Sequence, residues 1–422
     1  MAASVLLRGA RQLLTLRGPG TPRRGPAMQE LGIIHDGALL IEDGVIVEVG
    51  VSRRVENLAS ARKAQEIDAT GRVVMPGFVD CHTHLICGAP SLEGREQQFY
   101  HGEQWAFDGA AHAVRYESGQ RLERRARLVV EGMVRHGTTC LEAKSGYGLD
   151  DSGELKILRA LADLHRAPLD VVSTFLASQG AHAAGEWGSG RLERISSELL
   201  PKIKHRALAH YVDFDCDDRV VEKEAALQFL ESARELGFRL KVHAFRSSRT
   251  AVPLAVSMGA VSVDQEHCAS PDDVEMLGRS NTIAVMLPGS SFYQQGGGGP
   301  SARALIDGGA AVALASDFNP ATSPTYNMQL IIALACARQC MTPAEAICAA
   351  TINAAWAIGC EDWAGSLEVG KPADLILLNA PDYREIPYHF GVNLVRTTMK
   401  RGIVIYQQGK VDVTHRPVQR DL

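Results

Sequence analysis

Between residues 73 and 316 the chain alternates apolar, β-branched runs with helix-period segments, and the alternation completes eight cycles. The runs fall at 73–80, 138–143, 169–175, 211–214, 239–243, 260–264, 282–287 and 311–316. Each reads as a strand buried on both faces. Amphipathic segments at 121–135, 152–165, 219–236 and 271–278 fill the gaps, and Ser270-Pro271 and Thr342-Pro343-Ala344-Glu345 read as helix starts. Strands that follow one another through right-handed helical crossovers place all their C-terminal ends on one side. Eight units in about 290 residues predict an α/β fold, a TIM-type (β/α)8 barrel with its chemistry on that rim.

The two ends of the chain have another pattern. Leu39 to Gly50 runs apolar, turns at Asp43-Gly44 and runs apolar again, a strong hairpin signal. Residues 373–378 and 402–406 repeat the theme near the other end. Together they predict a small β-sandwich-like domain from residues 1–76 and 366–422, carried on a barrel domain of residues 77–365. The first 29 residues hold five arginines and no acid, as a transit peptide can, but residues 5–7 and 12–16 read as short strands instead. The nine cysteines include no Cys-x-x-Cys pair, which fits a reduced, cytoplasmic chain better than a disulfide framework. With 44 basic against 49 acidic side chains and no basic stripe, nucleic acid is not an expected partner. No apolar stretch approaches the roughly 18 residues of a membrane span, so no membrane is expected either.

The sharpest chemical signal is His82-Thr83-His84, at the end of the first barrel run. Residues two apart on a strand share a face, so both imidazoles can aim at one point on the barrel axis. Neutral imidazole is a good metal ligand, and further ligands would come from other strand ends. His243 closes the fifth run, Asp264-Gln265-Glu266-His267 the sixth, and Asp317 follows the eighth. Taken singly, His243 or His267 would read as a bonded core histidine, and Asp317 as a helix cap before Asn319-Pro320. Taken together with His82 and His84, they predict a metal site. No Walker sequence, G-x-S-x-G elbow or dinucleotide fingerprint competes with this reading. The glycine run 296–299 lacks the Lys-Ser/Thr of a phosphate loop and reads as a loop after a strand.

Beyond these residues, the sequence resembles the amidohydrolase superfamily and, within it, the imidazolonepropionases, over nearly its whole length. The marks are Pro76-Gly77-Phe78-Val79-Asp80 with His82-Thr83-His84, Lys144-Ser145-Gly146-Tyr147-Gly148-Leu149, Leu287-Pro288-Gly289, Ser316-Asp317-Phe318-Asn319-Pro320, Thr351-Ile352-Asn353-Ala354-Ala355 and Ile386-Pro387-Tyr388-His389-Phe390-Gly391-Val392-Asn393. The resemblance implies one divalent metal, zinc or iron, held by His82, His84, His243 and Asp317, and a homodimer. It also implies a small-molecule substrate, 4-imidazolone-5-propanoate. Water attacks the ring carbonyl, the ring C–N bond breaks, and N-formimidoyl-L-glutamate leaves. Asp317 would take the proton and His267 would steady the oxyanion. Arg95, Tyr147, His182, Asn319, Ala321 and Thr322 would face the substrate, Arg95 as a fork for the propionate carboxylate. Without that role, Arg95 is a solvated charge, Tyr147 a packing ring in a glycine turn and His182 a loop histidine.

The pattern breaks after the fifth run. Relatives carry an acidic pair where this chain has His243-Ala244-Phe245-Arg246. A guanidinium cannot accept a proton, so Arg246 is expected beside the substrate rather than as the base. Glu266, in a short insertion on the neighbouring strand, is the expected replacement carboxylate. Two alternatives stay open: a metal hydrolase acting on another cyclic amide or an aminated heterocycle, and a metal-binding relative without activity. Lys144 would suit the carboxylated lysine of two-metal relatives, but its Ser-Gly-Tyr-Gly surroundings match the one-metal branch.

Overall fold

The computed structural model describes residues 4–88, 92–93, 96, 105–177, 189–218, 222–244, 248–265, 270–293 and 302–408. Its strands are β1 (Ser4–Leu14), β2 (Ile33–Glu42), β3 (Val45–Val51), β4 (Gln65–Asp68), β5 (Val73–Pro76), β6 (Phe78–Asp80), β7 (Thr138–Lys144), β8 (Asp170–Ala177), β9 (Tyr211–Cys216), β10 (Arg239–Ala244), β11 (Ser262–Gln265), β12 (Ile283–Met286), β13 (Val312–Leu314), β14 (Leu375–Leu378), β15 (Val395–Lys400) and β16 (Ile403–Gln407). They form two sheets of eight.

The first sheet is the expected barrel. Its order runs β6 through β13 without a crossover, every neighbour parallel. The open edges meet just past the ends of β6 and β13. There Thr83 bridges Phe318 in parallel, His84 N donates to Phe318 O at 2.8 Å and Asp317 N donates to His82 O at 3.0 Å. Asp80 reinforces this seam by accepting from the Ser316 amide (2.9 Å) and hydroxyl (2.6 Å). Under the barrel, the helix Ile352–Ile358 packs its alanines against Val79, Ile283, Val285, Ala311 and Ala313. Asn353 on that helix accepts from Arg23 N at 2.8 Å and donates to Val312 O at 2.8 Å, so one motif of the family resemblance is a structural tie.

The second sheet comes from both ends of the chain, in the order β16-β15-β14-β5-β1-β2-β3, with β4 beside β1. Asp43 (φ 49°) and Gly44 (φ 82°) make the left-handed pair that a two-residue hairpin between β2 and β3 requires. The residues expected as two short N-terminal strands are one strand, β1, with a register shift between Leu7 and Ala10. Residues 403–407 pair with β15, a strand the sequence reading did not separate.

The run 73–80 is corrected more deeply. It is two strands of two sheets, because Gly77 N bonds Asp374 O at 3.1 Å in the terminal sheet while Phe78 N bonds Gly137 O at 2.9 Å in the barrel. Every residue of it is buried, so no polar interruption marks the crossing. Both expected helix starts are capping boxes, Ser270 with Asp273 and Thr342 with Glu345. No helix among the described residues is long and apolar enough to cross a membrane.

Candidate active site

Barrel closure decides which residues meet. His82 and His84 follow β6 and Asp317 follows β13, and the seam sets these two segments side by side. His82 Nε2 lies 3.4 Å from His84 Nε2 and 3.3 Å from Asp317 Oδ1, and His84 Nε2 lies 3.7 Å from the same oxygen. All three side chains are buried. Burial, with His82 as its neighbour, lowers His84 to about 3, so at neutral pH its ring is uncharged and carries a lone pair. Burial also opposes ionisation of Asp317, but hydrogen bonding and charge from His82, with His84 and Ser290, outweigh it and hold the carboxylate at about 2. His82 Nδ1 faces Asp264 Oδ2 at 2.7 Å. A proton on Nδ1 satisfies that carboxylate. Burial lowers the His82 pKa, but Asp264 and Asp317 raise it above its ordinary value, so Nε2 offers a lone pair once a cation takes the place of its proton. Two imidazole nitrogens and one carboxylate oxygen thus face each other in a buried space where a cation can replace the His82 proton, an arrangement that fits a metal.

His243 is brought near but grouped differently. Its ring centre is 5.2 Å from that of His82, and its donor atom groups with His82 and Asp264 rather than with His84 and Asp317. That second grouping already has a cation beside it, since Lys144 Nζ lies 2.8 Å from Asp264 Oδ2. Lys144 also contacts Asp213 Oδ2 at 2.5 Å and Glu142 Oε2 at 3.3 Å, and Lys241 Nζ meets Glu142 Oε2 at 2.7 Å. Thr174 donates to the other Glu142 oxygen at 2.5 Å. Burial pulls the Lys144 ammonium down, but Asp213, Asp264 and Glu142 raise it well above its ordinary value. Burial pushes Asp264 up, and Lys144, Lys241 and His82 bring it far below the carboxylate range. Three carboxylates around the amine favour its ammonium form. Lys144 acts here as a counter-ion, in keeping with the one-metal reading, and its network with Glu142, Asp213 and Lys241 was missed by a reading confined to strand ends. Its signal was present as charged residues inside apolar runs, Glu142 and Lys144 in β7, Asp213 in β9 and Lys241 in β10.

Asp317 has a second partner that sequence reasoning passed over. Ser290, in the short helix Pro288–Tyr293 after β12, donates to Asp317 Oδ2 at 2.5 Å and leaves Oδ1 toward the histidines. Asp317 itself sits at φ 49°. Asn319 spends its amide within the same loop: Nδ2 donates to Asp317 O (2.7 Å) and Thr322 Oγ1 (2.8 Å), and Oδ1 accepts from Ala321 N (2.8 Å) and Thr322 N (2.7 Å). It builds the turn that carries Asp317, Ala321 and Thr322. Thr322 Oγ1 lies 3.5 Å from both Ser290 Oγ and Asp317 Oδ2. On the far side, the Tyr147 ring stands edge-on to His84, centres 5.4 Å apart. Arg95, His182, Arg246, Glu266, His267 and the glycine run 296–299 lie outside the described residues.

The model of the amidohydrolase family matches residues 65–99 and 100–406. The chain belongs to the amidohydrolase family. Among the curated amidohydrolases it resembles, the imidazolonepropionase of Bacillus cytotoxicus is 40% identical over 418 residues, 96% of this chain and 97% of the relative. The imidazolonepropionase of Bacillus cereus is 40% identical over 411 residues, 94% and 96% of the two chains. Solved structures with the same fold include a 5-methylcytosine deaminase from Klebsiella pneumoniae, with TM-score 0.72, 19% identity, and 98% of this chain and 100% of that one covered. An adenosine deaminase from Xanthomonas campestris with bound zinc has TM-score 0.67 and 18% identity, covering 97% and 95%. As an amidohydrolase, this chain is a metal-dependent hydrolase, and its histidine and aspartate groups can bind a metal.

Proposed function

We infer that this amidohydrolase is an imidazolonepropionase, which hydrolyses the cyclic amide 4-imidazolone-5-propanoate to N-formimidoyl-L-glutamate in histidine degradation. The observation that carries the reading is 40% identity to an imidazolonepropionase along 96% of this chain. The donor set supports one divalent cation, zinc or iron, on His82, His84 and Asp317, with His243 beside them. When bound, such a cation brings the pKa of a water to about 7 and polarises the amide carbonyl.

The chain's own residues do the rest. Asp264 holds His82 as the Nδ1–H tautomer, so its Nε2 stays a donor of electrons. Asp317, ionised at neutral pH, accepts the proton of the attacking water, and Ser290 confines that exchange to Oδ1. Tyr147 and Thr322 flank the reacting ring. Arg95 takes the propionate carboxylate, His182 and Arg246 complete the binding side, Glu266 replaces the acid missing at Arg246, and His267 steadies the developing oxyanion. A homodimer in a reducing cytoplasm belongs to the same proposal, and the eight described cysteines are all free thiols.

The test is the loss of imidazolonepropionate absorbance on adding purified protein, before and after chelation. Turnover that stops with chelator and returns with zinc or iron supports the reading and identifies the metal. No turnover by metal-loaded protein overturns it. Turnover of other lactams or heterocyclic amines would then assign the chain elsewhere in the family.

A further inference from the structure

Five residues of one family motif, Ser145-Gly146-Tyr147-Gly148-Leu149, form the turn after β7, and four of them are tied down by two side chains outside the motif. Glu154, buried in the first turn of the helix Asp151–Ala162, accepts from Gly146 N at 2.9 Å through Oε2 and from Gly148 N at 2.7 Å through Oε1. The Ser145 hydroxyl also bonds this carboxylate, and the Arg191 guanidinium faces it. Arg191 Nη2 in turn donates to Leu149 O at 2.9 Å.

The helix and the turn are in close contact. A Cβ on Gly148 would come within 2.2 Å of Glu154 N, and one on Gly153 within 2.2 Å of Gly148 O, so only two glycines allow this approach. The fifth residue, Tyr147, sends its ring to His84. A carboxylate that receives the amides on both sides of one residue fixes the peptide planes from which that side chain springs. Burying a carboxylate is costly unless its hydrogen bonds are filled, and here Ser145, Gly146 and Gly148 of the turn fill them beside Arg191.

We propose that Glu154 is a positioning residue, whose two bonds to Gly146 and Gly148 set the Tyr147 side chain beside His84 for contact with the substrate. The proposal rests on the reading of Tyr147 as a substrate contact. It predicts that Glu154 acts on binding and leaves the metal site alone, since none of its bonds reaches His82, His84 or Asp317.

The experiment is steady-state kinetics of the metal-loaded enzyme with 4-imidazolone-5-propanoate, for the wild type, Glu154→Gln, Tyr147→Phe and the double variant. Glutamine has one accepting oxygen where two amides need one each. The expected result is a KM raised about tenfold in Glu154→Gln with kcat within about twofold and metal per chain unchanged. In the Tyr147→Phe background the same substitution should add little, because both changes act on one contact.

An unchanged KM in Glu154→Gln, an unchanged KM in Tyr147→Phe, or an equal loss with and without the Tyr147 hydroxyl overturns the proposal. If Glu154→Gln does not fold, Glu154→Asp keeps the charge, shortens the reach, and is read by the same criteria. A wild-type enzyme without turnover overturns the functional reading instead, and the proposal falls with it.

Discussion

The barrel has two halves of opposite character. Around β12, β13 and the first strand β6, an apolar cluster of Val79, Cys81, Ile283, Val285, Leu287, Ala311, Ala313 and Ala315 is closed below by the alanines of Ile352–Ile358, beside the buried Asp80 that Ser316 satisfies. Across the axis, β7, β9, β10 and β11 turn Glu142, Lys144, Asp213, Lys241 and Asp264 inward, all fully buried. Dispersion and solvent exclusion hold the first half, and small side chains let the closing helix approach. The second half spends several kilocalories of desolvation per ion to keep charges there, and apolar residues of similar volume would often be as stable. What distinguishes the charged half is its contact with the candidate metal site, from Asp264 to His82. The apolar half keeps the barrel closed, whereas the charged half orients a ligand.

That contrast is open to attack by substitution, and the heaviest blow should come from Lys144→Met. It leaves Asp213, Asp264 and Glu142 without a shared cation, so a loss of about 3–5 kcal/mol in denaturant unfolding is expected, with weakened metal retention in competition against a chelator. An injury of similar size in the other half, Ile283→Ala, should cost about 2–4 kcal/mol by cavity formation. Metal per chain should then stay at the wild-type level, and equal metal loss in both variants would erase the distinction. Asp264→Asn keeps the shape of the contact but removes its charge, and metal affinity should fall roughly 10–100-fold. The mildest is Ser290→Ala, which frees Asp317 Oδ2. Initial rates should show kcat/KM lower by about tenfold, the worth of one hydrogen bond to a carboxylate, with the melting curve little changed.

The apolar half is also the half a sequence shows best. Continuous runs such as 282–287 and 311–316 announce buried strands, and barrel closure follows from their number and order. His82, His84 and Asp317 were legible for the same reason: each sits at the end of such a run, where a TIM-type barrel carries its chemistry. The charged half was not. Lys144 reads in the sequence only as a metal-bridging lysine and Lys241 only as part of the fifth run, because the carboxylates they face, Asp213, Asp264 and Glu142, come from other barrel strands. Ser290 and Glu154 were hidden for another reason. Ser290 bonds Asp317, 27 positions away, and Glu154 bonds Gly146 and Gly148, 8 and 6 positions away, each through a turn whose geometry no periodicity encodes. The division of 73–80 between two sheets was equally silent, because both environments are apolar.

The central claim is that the seam between the first and last barrel strands holds a cation on His82, His84 and Asp317. Elemental analysis of the purified wild type beside the His82→Ala/His84→Ala double variant tests it most directly. About one zinc or iron per wild-type chain and almost none in the variant is the expected result. Equal metal in the two proteins, with both folded, would contradict it.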